Sequence, residues 1–240
     1  MSDSFVIFKD HLKTLHRFLT VNGYETNRIY PDGLSKEVFF KQLEDEFKTH
    51  TEILTLIPRI DDLRIHMSGI FTHKTLNRRM FVYFCPLMDT NISQKVSEFL
   101  RILFLINNCK HGVIITDRNL SATAKNNINT VKMPDDDDDD DVYNLYHFTD
   151  KTFIDISDNY YTPNVIKVFN TEEAKIFCQE NNINGSKLPK ISVDDPLAAF
   201  YLCKVGNIIE LERDVGLEHS IMSTQLVYRY VTPIPFNSRR

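Results

Sequence analysis

The amino-acid sequence predicts an α+β chain in two parts. Three observations carry this reading: an amphipathic helical pattern at the start, short apolar runs alternating with helical patterns up to a block of aspartates, and a second series of capped helices and β-rich segments beyond that block. With 240 residues, 42% of them hydrophobic, the chain can bury one core or two, because domains usually run about 100–150 residues.

Phe5, Phe8, Leu12, Leu15 and Leu19 recur every three or four positions, which lines one face of a helix, and Asn22-Gly23 supplies its stop. A second helix is predicted after Pro31-Asp32-Gly33, with Ser35 as its cap and Val38, Phe39, Leu43 and Phe47 as its apolar face. Strands are predicted at Ile53 to Ile57, Leu63 to Met67 and Met80 to Cys85, the first and last closed by Pro58 and Pro86. From Asn91 a third helical pattern runs through Val96, Phe99, Leu103 and Ile106; Gly112 to Thr116 then reads as a short buried strand. Ser121 opens a further short helix that fades where Asn126 to Thr130 turn polar.

Seven of the 33 acidic residues form the single run Asp135 to Asp141. Consecutive like charges repel and favour neither helix nor strand, so residues 135–150 are expected to be a solvated loop or linker, with mimicry of nucleic-acid phosphate as the alternative. Apart from this run the chain is close to neutral. That balance argues against a protein that coats nucleic acid by charge alone and leaves room only for a local contact.

Beyond the run, Thr152 to Ile156 and Val165 to Phe169 are strand-like. Asn170 followed three residues later by Glu173 has the spacing of a capping box, and Asn184-Gly185 closes the helix it opens. Asp195 places a capping carboxylate directly before Pro196, the residue type best tolerated at a first helical position, which predicts a helix from Pro196 to Cys203 ending by Gly206. Asn207 to Arg213 and Gln225 to Val231 are predicted strands.

Several function classes lack the residues they need. Cys85, Cys109, Cys178 and Cys203 are scattered, with no Cys-x-x-Cys pair to build a zinc site, so inert buried thiols and no metal are expected. The apolar stretches, such as Phe99 to Ile106, fall short of the roughly 20 residues a membrane span requires, and the start has no basic-then-apolar leader pattern. A soluble intracellular protein follows as the expectation. No Gly-rich phosphate loop, Gly-x-Ser-x-Gly or His-Glu-x-x-His motif occurs, so no cofactor and no catalytic residue is assigned. A metal-dependent nuclease would draw on Asp32, Asp61 and Asp62, but no strand carries the Glu-x-Lys element such a site uses.

One segment suits nucleic acid. Asp117 to Lys125 joins a strand to a helix start, where free N–H groups, the cations Arg118 and Lys125 and the hydroxyls of Ser121 and Thr123 suit a phosphate backbone. The competing reading is that Ser121 simply caps its own helix.

Residues 186–231 carry a more specific pattern. Ser186-Lys-Leu-Pro-Lys-Ile191, then Asp195-Pro196-Leu-Ala, Lys204-x-Gly206 before an apolar strand, and Val227-Tyr228-Arg229-Tyr-Val231 resemble the signature of the fifth subunit shared by eukaryotic nuclear DNA-dependent RNA polymerases, whose C-terminal half has an archaeal polymerase counterpart. Fainter matches extend upstream at Val165-Ile-Lys-Val, Gly23-Tyr24 and Phe81-Val-Tyr-Phe. The resemblance implies an N-terminal jaw-like α/β domain at 1–134, an acidic linker at 135–150 and a C-terminal α+β assembly domain at 151–240. It further implies a non-catalytic subunit with no enzymatic residues of its own. Its partners would be the largest polymerase subunit, other polymerase subunits and downstream double-stranded DNA within the complex.

The assembly surface implied by the resemblance comprises Leu188, Pro189, Lys190, Ile191, Asp195, Pro196, Tyr228 and Arg229. The family's DNA-proximal Thr-Pro-Ser-Ala element corresponds to Ser121-Ala-Thr123-Ala124, which strengthens the DNA reading of Arg118, Ser121, Thr123 and Lys125. The chain departs from the family pattern at Ala122, in place of a proline, and at Leu202 and Val205, in place of a glycine and a basic residue. It departs again in Asp214 to Thr224 and in the extension Thr232 to Arg240. Abundant Asn, Ile and Lys point to an A/T-rich genome, as in a large DNA virus with its own polymerase or a divergent eukaryote. The expected place is the virion or cytoplasm in the first case and the nucleus in the second. The other readings are a freestanding DNA-binding transcription factor and the nuclease considered above.

Overall fold

The computed structural model describes residues 3–27, 29, 64–87, 91–106, 109, 111–131, 143–155, 162–214 and 224–233. The helix expected at Ser35 to Phe47, the strand at Ile53 to Ile57, Asp32, Asp61 and Asp62, the aspartate run and the tail beyond Pro233 lie outside the described residues. The chain divides into two compact units, Met1–Ile154 and Asp155–Arg240.

In the first unit, α1 (Asp3–Val21) buries Phe8, Leu12, Leu15, Phe18 and Leu19 at helical spacing. Each such side chain contributes about 1.5–3 kcal/mol by leaving water. The helix stops where Tyr24 N–H reaches the Leu19 carbonyl at 2.8 Å and Gly23 N–H that of Thr20 at 3.2 Å, the paired bonds of a Schellman ending. Gly23 sits at φ +79°, and a β-carbon there would come within 2.6 Å of His73 Nε2, so glycine is required twice over.

Four strands follow in the spatial order β1 (Gly69–Thr72), β2 (Arg79–Phe84), β3 (His111–Thr116) and β4 (Asn144–Thr149). The first pair is antiparallel and the other two pairs are parallel, with Ile114 opposite both Tyr83 and His147. Parallel strands need crossovers, which α2 (Ile92–Leu105) and α3 (Ala122–Val131) provide. Val96, Phe99 and Leu103 of α2 and Ala124 and Ile128 of α3 pack on Phe81, Ile114 and Leu145. The aromatic contacts of Phe18 with Phe148 and Phe153 seat α1 on the opposite face. Helices thus cover both faces of this sheet, the usual arrangement for parallel strands.

Three local expectations are corrected here. Residues 64–67 are helical rather than a strand, because Arg64 and Met67 are buried while Ile65 is exposed, a spacing of three that a strand cannot produce. Residues 144–149, read as acidic linker, are β4, whose Leu145 and Phe148 are buried in this unit. Thr152 to Asp155 form no strand; Phe153 instead turns into the aromatic cluster with Phe18, Phe84 and Phe148.

The second unit is a sheet of order β5 (Asn164–Phe169), β7 (Ile208–Asp214), β8 (Thr224–Thr232) and β6 (Lys190–Ser192). The β6–β8 pair is parallel and the others antiparallel. Helix α4 (Thr171–Glu180) begins with the expected capping box: Asn170 accepts from the Glu173 N–H while Glu173 accepts from the Asn170 N–H. A 3-10 turn, Gly185–Lys187, leads to β6. Helix α5 (Pro196–Phe200) starts as expected with Asp195 accepting from Leu197 N–H at 2.9 Å.

α5 ends earlier than Cys203. Leu202 adopts φ +50°, a left-handed conformation that costs an ordinary residue about 1–2 kcal/mol and stops the helix. It stands at the place where the resembled family has glycine.

Candidate subunit interface and nucleic-acid contact

Side chains alternate along β8, so Tyr228 and Arg229 point to opposite faces of the second sheet. Tyr228 packs on Phe177 of α4 with ring centroids 4.8 Å apart and donates its hydroxyl to Glu210 at 2.9 Å. That hydrogen bond, with a smaller part from desolvation, raises the tyrosine above its usual range. Phe169 extends the stack at 5.1 Å from Phe177, and Lys167 sits 4.5 Å over Phe169 while pairing with Glu173.

Arg229 faces the other way, over the layer formed by Leu197, Ala198, Ile209, Leu211 and Val231. Beside α5 this face opens into a cleft of about 500 Å³, which gathers Lys190, Ile191, Asp195, Pro196 and Arg229 from the expected surface. Leu188, Pro189 and Tyr228 do not line it: the Leu188 N–H bonds to Gly185, the Pro189 carbonyl accepts from Tyr230, and Tyr228 belongs to the other face. Sequence reasoning missed Arg213, Leu211, Leu197 and Pro163, which complete the walls. The spacing of Leu211 and Arg213, two apart on a strand, was the available signal that both share a face.

In the first unit, Arg118, Ser121, Thr123 and Lys125 gather at the junction of β3 and α3, all exposed. Arg118 pairs with Asp117 at 3.5 Å. Ser121 Oγ accepts from Ala124 N–H at 3.2 Å, a cap, and lies 3.3 Å from Ser93 Oγ at the start of α2. Near the same strand end, Thr116 Oγ1 lies 2.8 Å from His147 Nε2. Burial, followed by the charge of Lys125, lowers His147 to about 4.

The same end of the parallel strands holds Arg64, whose side chain is 4% exposed. It donates from Nη1 to both Asp150 carboxylate oxygens at 3.0 Å, from Nε to the Cys85 carbonyl at 2.6 Å and from Nη2 to the Ile115 carbonyl at 3.4 Å. Lys95, fully buried, donates to the Pro86 carbonyl. Burial pushes Cys85 and Cys203 up to about 12, so both thiols stay protonated and unreactive at neutral pH. Among the described residues no group of His, Cys, Asp and Glu is arranged to hold a metal, and no helix is long and apolar enough to cross a membrane.

A four-stranded mixed sheet with a capped helix on each face defines the second unit as a small α+β domain. Residues 154–231 match the family model of the RNA polymerase Rpb5 C-terminal domain. Residues 154–231 are therefore similar to an Rpb5 C-terminal domain, and the match covers the Leu-Pro-Lys-Ile and Asp-Pro-Leu-Ala segments on which the resemblance was read. No curated protein matches the chain.

Proposed function

We propose that the protein is a non-catalytic subunit of a multisubunit DNA-dependent RNA polymerase, docking on the largest subunit through its Rpb5-type domain. The match over residues 154–231 is the observation that carries this reading. The cleft that gathers Lys190, Ile191, Asp195, Pro196 and Arg229 supports it, since arginine over apolar side chains suits an interface centre. Isolation of the tagged chain from its native source under mild salt is expected to recover two very large polymerase subunits in equal amount. Recovery as a lone monomer would overturn the proposal.

The first unit, in this reading, forms part of a jaw along downstream DNA, with Arg118, Ser121, Thr123 and Lys125 on the phosphate backbone. Their exposure at a strand-to-helix junction supports the contact. The cap made by Ser121 supplies the competing structural role. Crosslinking from position 123 in a transcribing complex is expected to label downstream DNA, and labelling of protein alone would remove the DNA role. Replacing Arg118 and Lys125 by alanine is expected to reduce the salt dependence of the DNA grip by about one unit of slope per charge.

A further inference from the structure

We infer that the cleft beside α5 recognises a segment of another polymerase subunit in which an apolar side chain is flanked by acidic ones. This inference rests on the proposed polymerase role and specifies the chemistry of the docking contact. The cleft, at about 500 Å³, has room for a few side chains. Its floor includes Ile191, Leu197 and Leu211. Leu211 and Arg213 project from the same side of β7, and the register places Arg229 opposite Ile209, so the two arginine positions lie on either side of Leu211.

Lys190, Arg213 and Arg229 line the cleft against a single carboxylate, Asp195. That carboxylate is already engaged as the cap of α5, accepting from the Leu197 N–H. Among the described residues, no hydrogen bond or ion pair engages the guanidinium group of Arg213 or Arg229. Arginine forms paired hydrogen bonds with carboxylates, and an excess of cations around an apolar floor is complementary to acidic residues beside an apolar one.

The test uses the full-length tagged chain in its native source. A double variant, Arg213→Glu with Arg229→Glu, is compared with Arg213→Lys plus Arg229→Lys, reading retention of the large subunits through a salt series and the melting temperature of each purified chain. Charge reversal is expected to lower retention by about tenfold or more, with the lysine variant between it and wild type, since lysine keeps the charge without the paired hydrogen bonds, and the melting temperatures alike. A folded reversal variant retained like wild type would sink the cleft assignment while leaving the polymerase role intact. Absence of large subunits from the wild-type eluate would sink both. Should charge reversal prevent folding, a photocrosslinker at Pro163 decides the matter through the attached peptide. An apolar residue beside Asp or Glu in another subunit supports the inference. A peptide spanning Asp135 to Asp141 of the chain itself, a peptide without acidic residues, or no partner peptide overturns it.

Discussion

Arg64 and the pair Arg213 and Arg229 put the same side chain to opposite uses. Arg64 commits its donors inside the first unit, to one carboxylate and two strand-end carbonyls, and almost none of it meets water. Arg213 and Arg229 stand at the rim of a cleft with no carboxylate or carbonyl of the described chain on their guanidinium groups. The difference separates a residue that fastens its own fold from residues whose donors no described group of the chain engages. Buried charge is tolerated only when its partners are supplied locally, whereas an exposed cation contributes little to stability on its own.

The sharpest way to break this contrast is Arg64→Ala, which strands the Asp150 carboxylate and leaves the Cys85 and Ile115 carbonyls without this donor. A stability loss of about 3–5 kcal/mol is expected by chemical denaturation; a loss below about 1 kcal/mol would put Arg64 in the same class as Arg229.

Next in size is an acid effect centred on His147. Its folded pKa of about 4 lies below the usual 6.5, so the unfolded chain binds the extra proton first as pH falls. The stability contributed is present above about pH 6.5 and is lost on descent toward pH 4. Between about pH 7 and pH 4.5 a loss on the order of 1–2 kcal/mol is expected from this residue, and His147→Gln should flatten that part of the profile. His11, also lowered chiefly by burial, continues to titrate in the same direction in that variant.

Ser121→Ala is expected to cost about 1 kcal/mol through the lost cap. Reading that loss beside DNA crosslinking from position 123 separates the serine's structural role from its proposed nucleic-acid role. The smallest effect belongs to Arg229→Ala, whose melting curve should correspond to a change within about 0.5 kcal/mol while retention of the large subunits falls. An equal fall in fold stability would make Arg229 a structural residue.

Much of the second unit was legible because its signals are local. The Asn170–Glu173 box and the Asp195-Pro196 start require only neighbouring residues to work, and both are present. β4 was missed because its aromatic segment follows directly on the aspartates, and its partner β3 lies a crossover away in sequence. β1 and β6, with four and three residues, are too short to show a period. At the candidate interface, the motif supplied five of the cleft residues but joined Tyr228 to Arg229, which the strand's alternation sends to opposite faces. For Arg213, spacing shows a face shared with Leu211, but that this face meets the cleft beside Arg229 depends on the β7–β8 register, which sequence neighbours do not reveal.

The register shift in β5 between Val165 and Lys167 has a consequence for self-association. β5 is an outer strand, and its far side presents backbone groups that a second copy can extend into a continuous ladder. The extra residue, Ile166, interrupts the even spacing such a ladder needs, and Lys167 adds a charge at the same place. The bulge and the charge together thus make this edge a poor template for the same strand of a second copy.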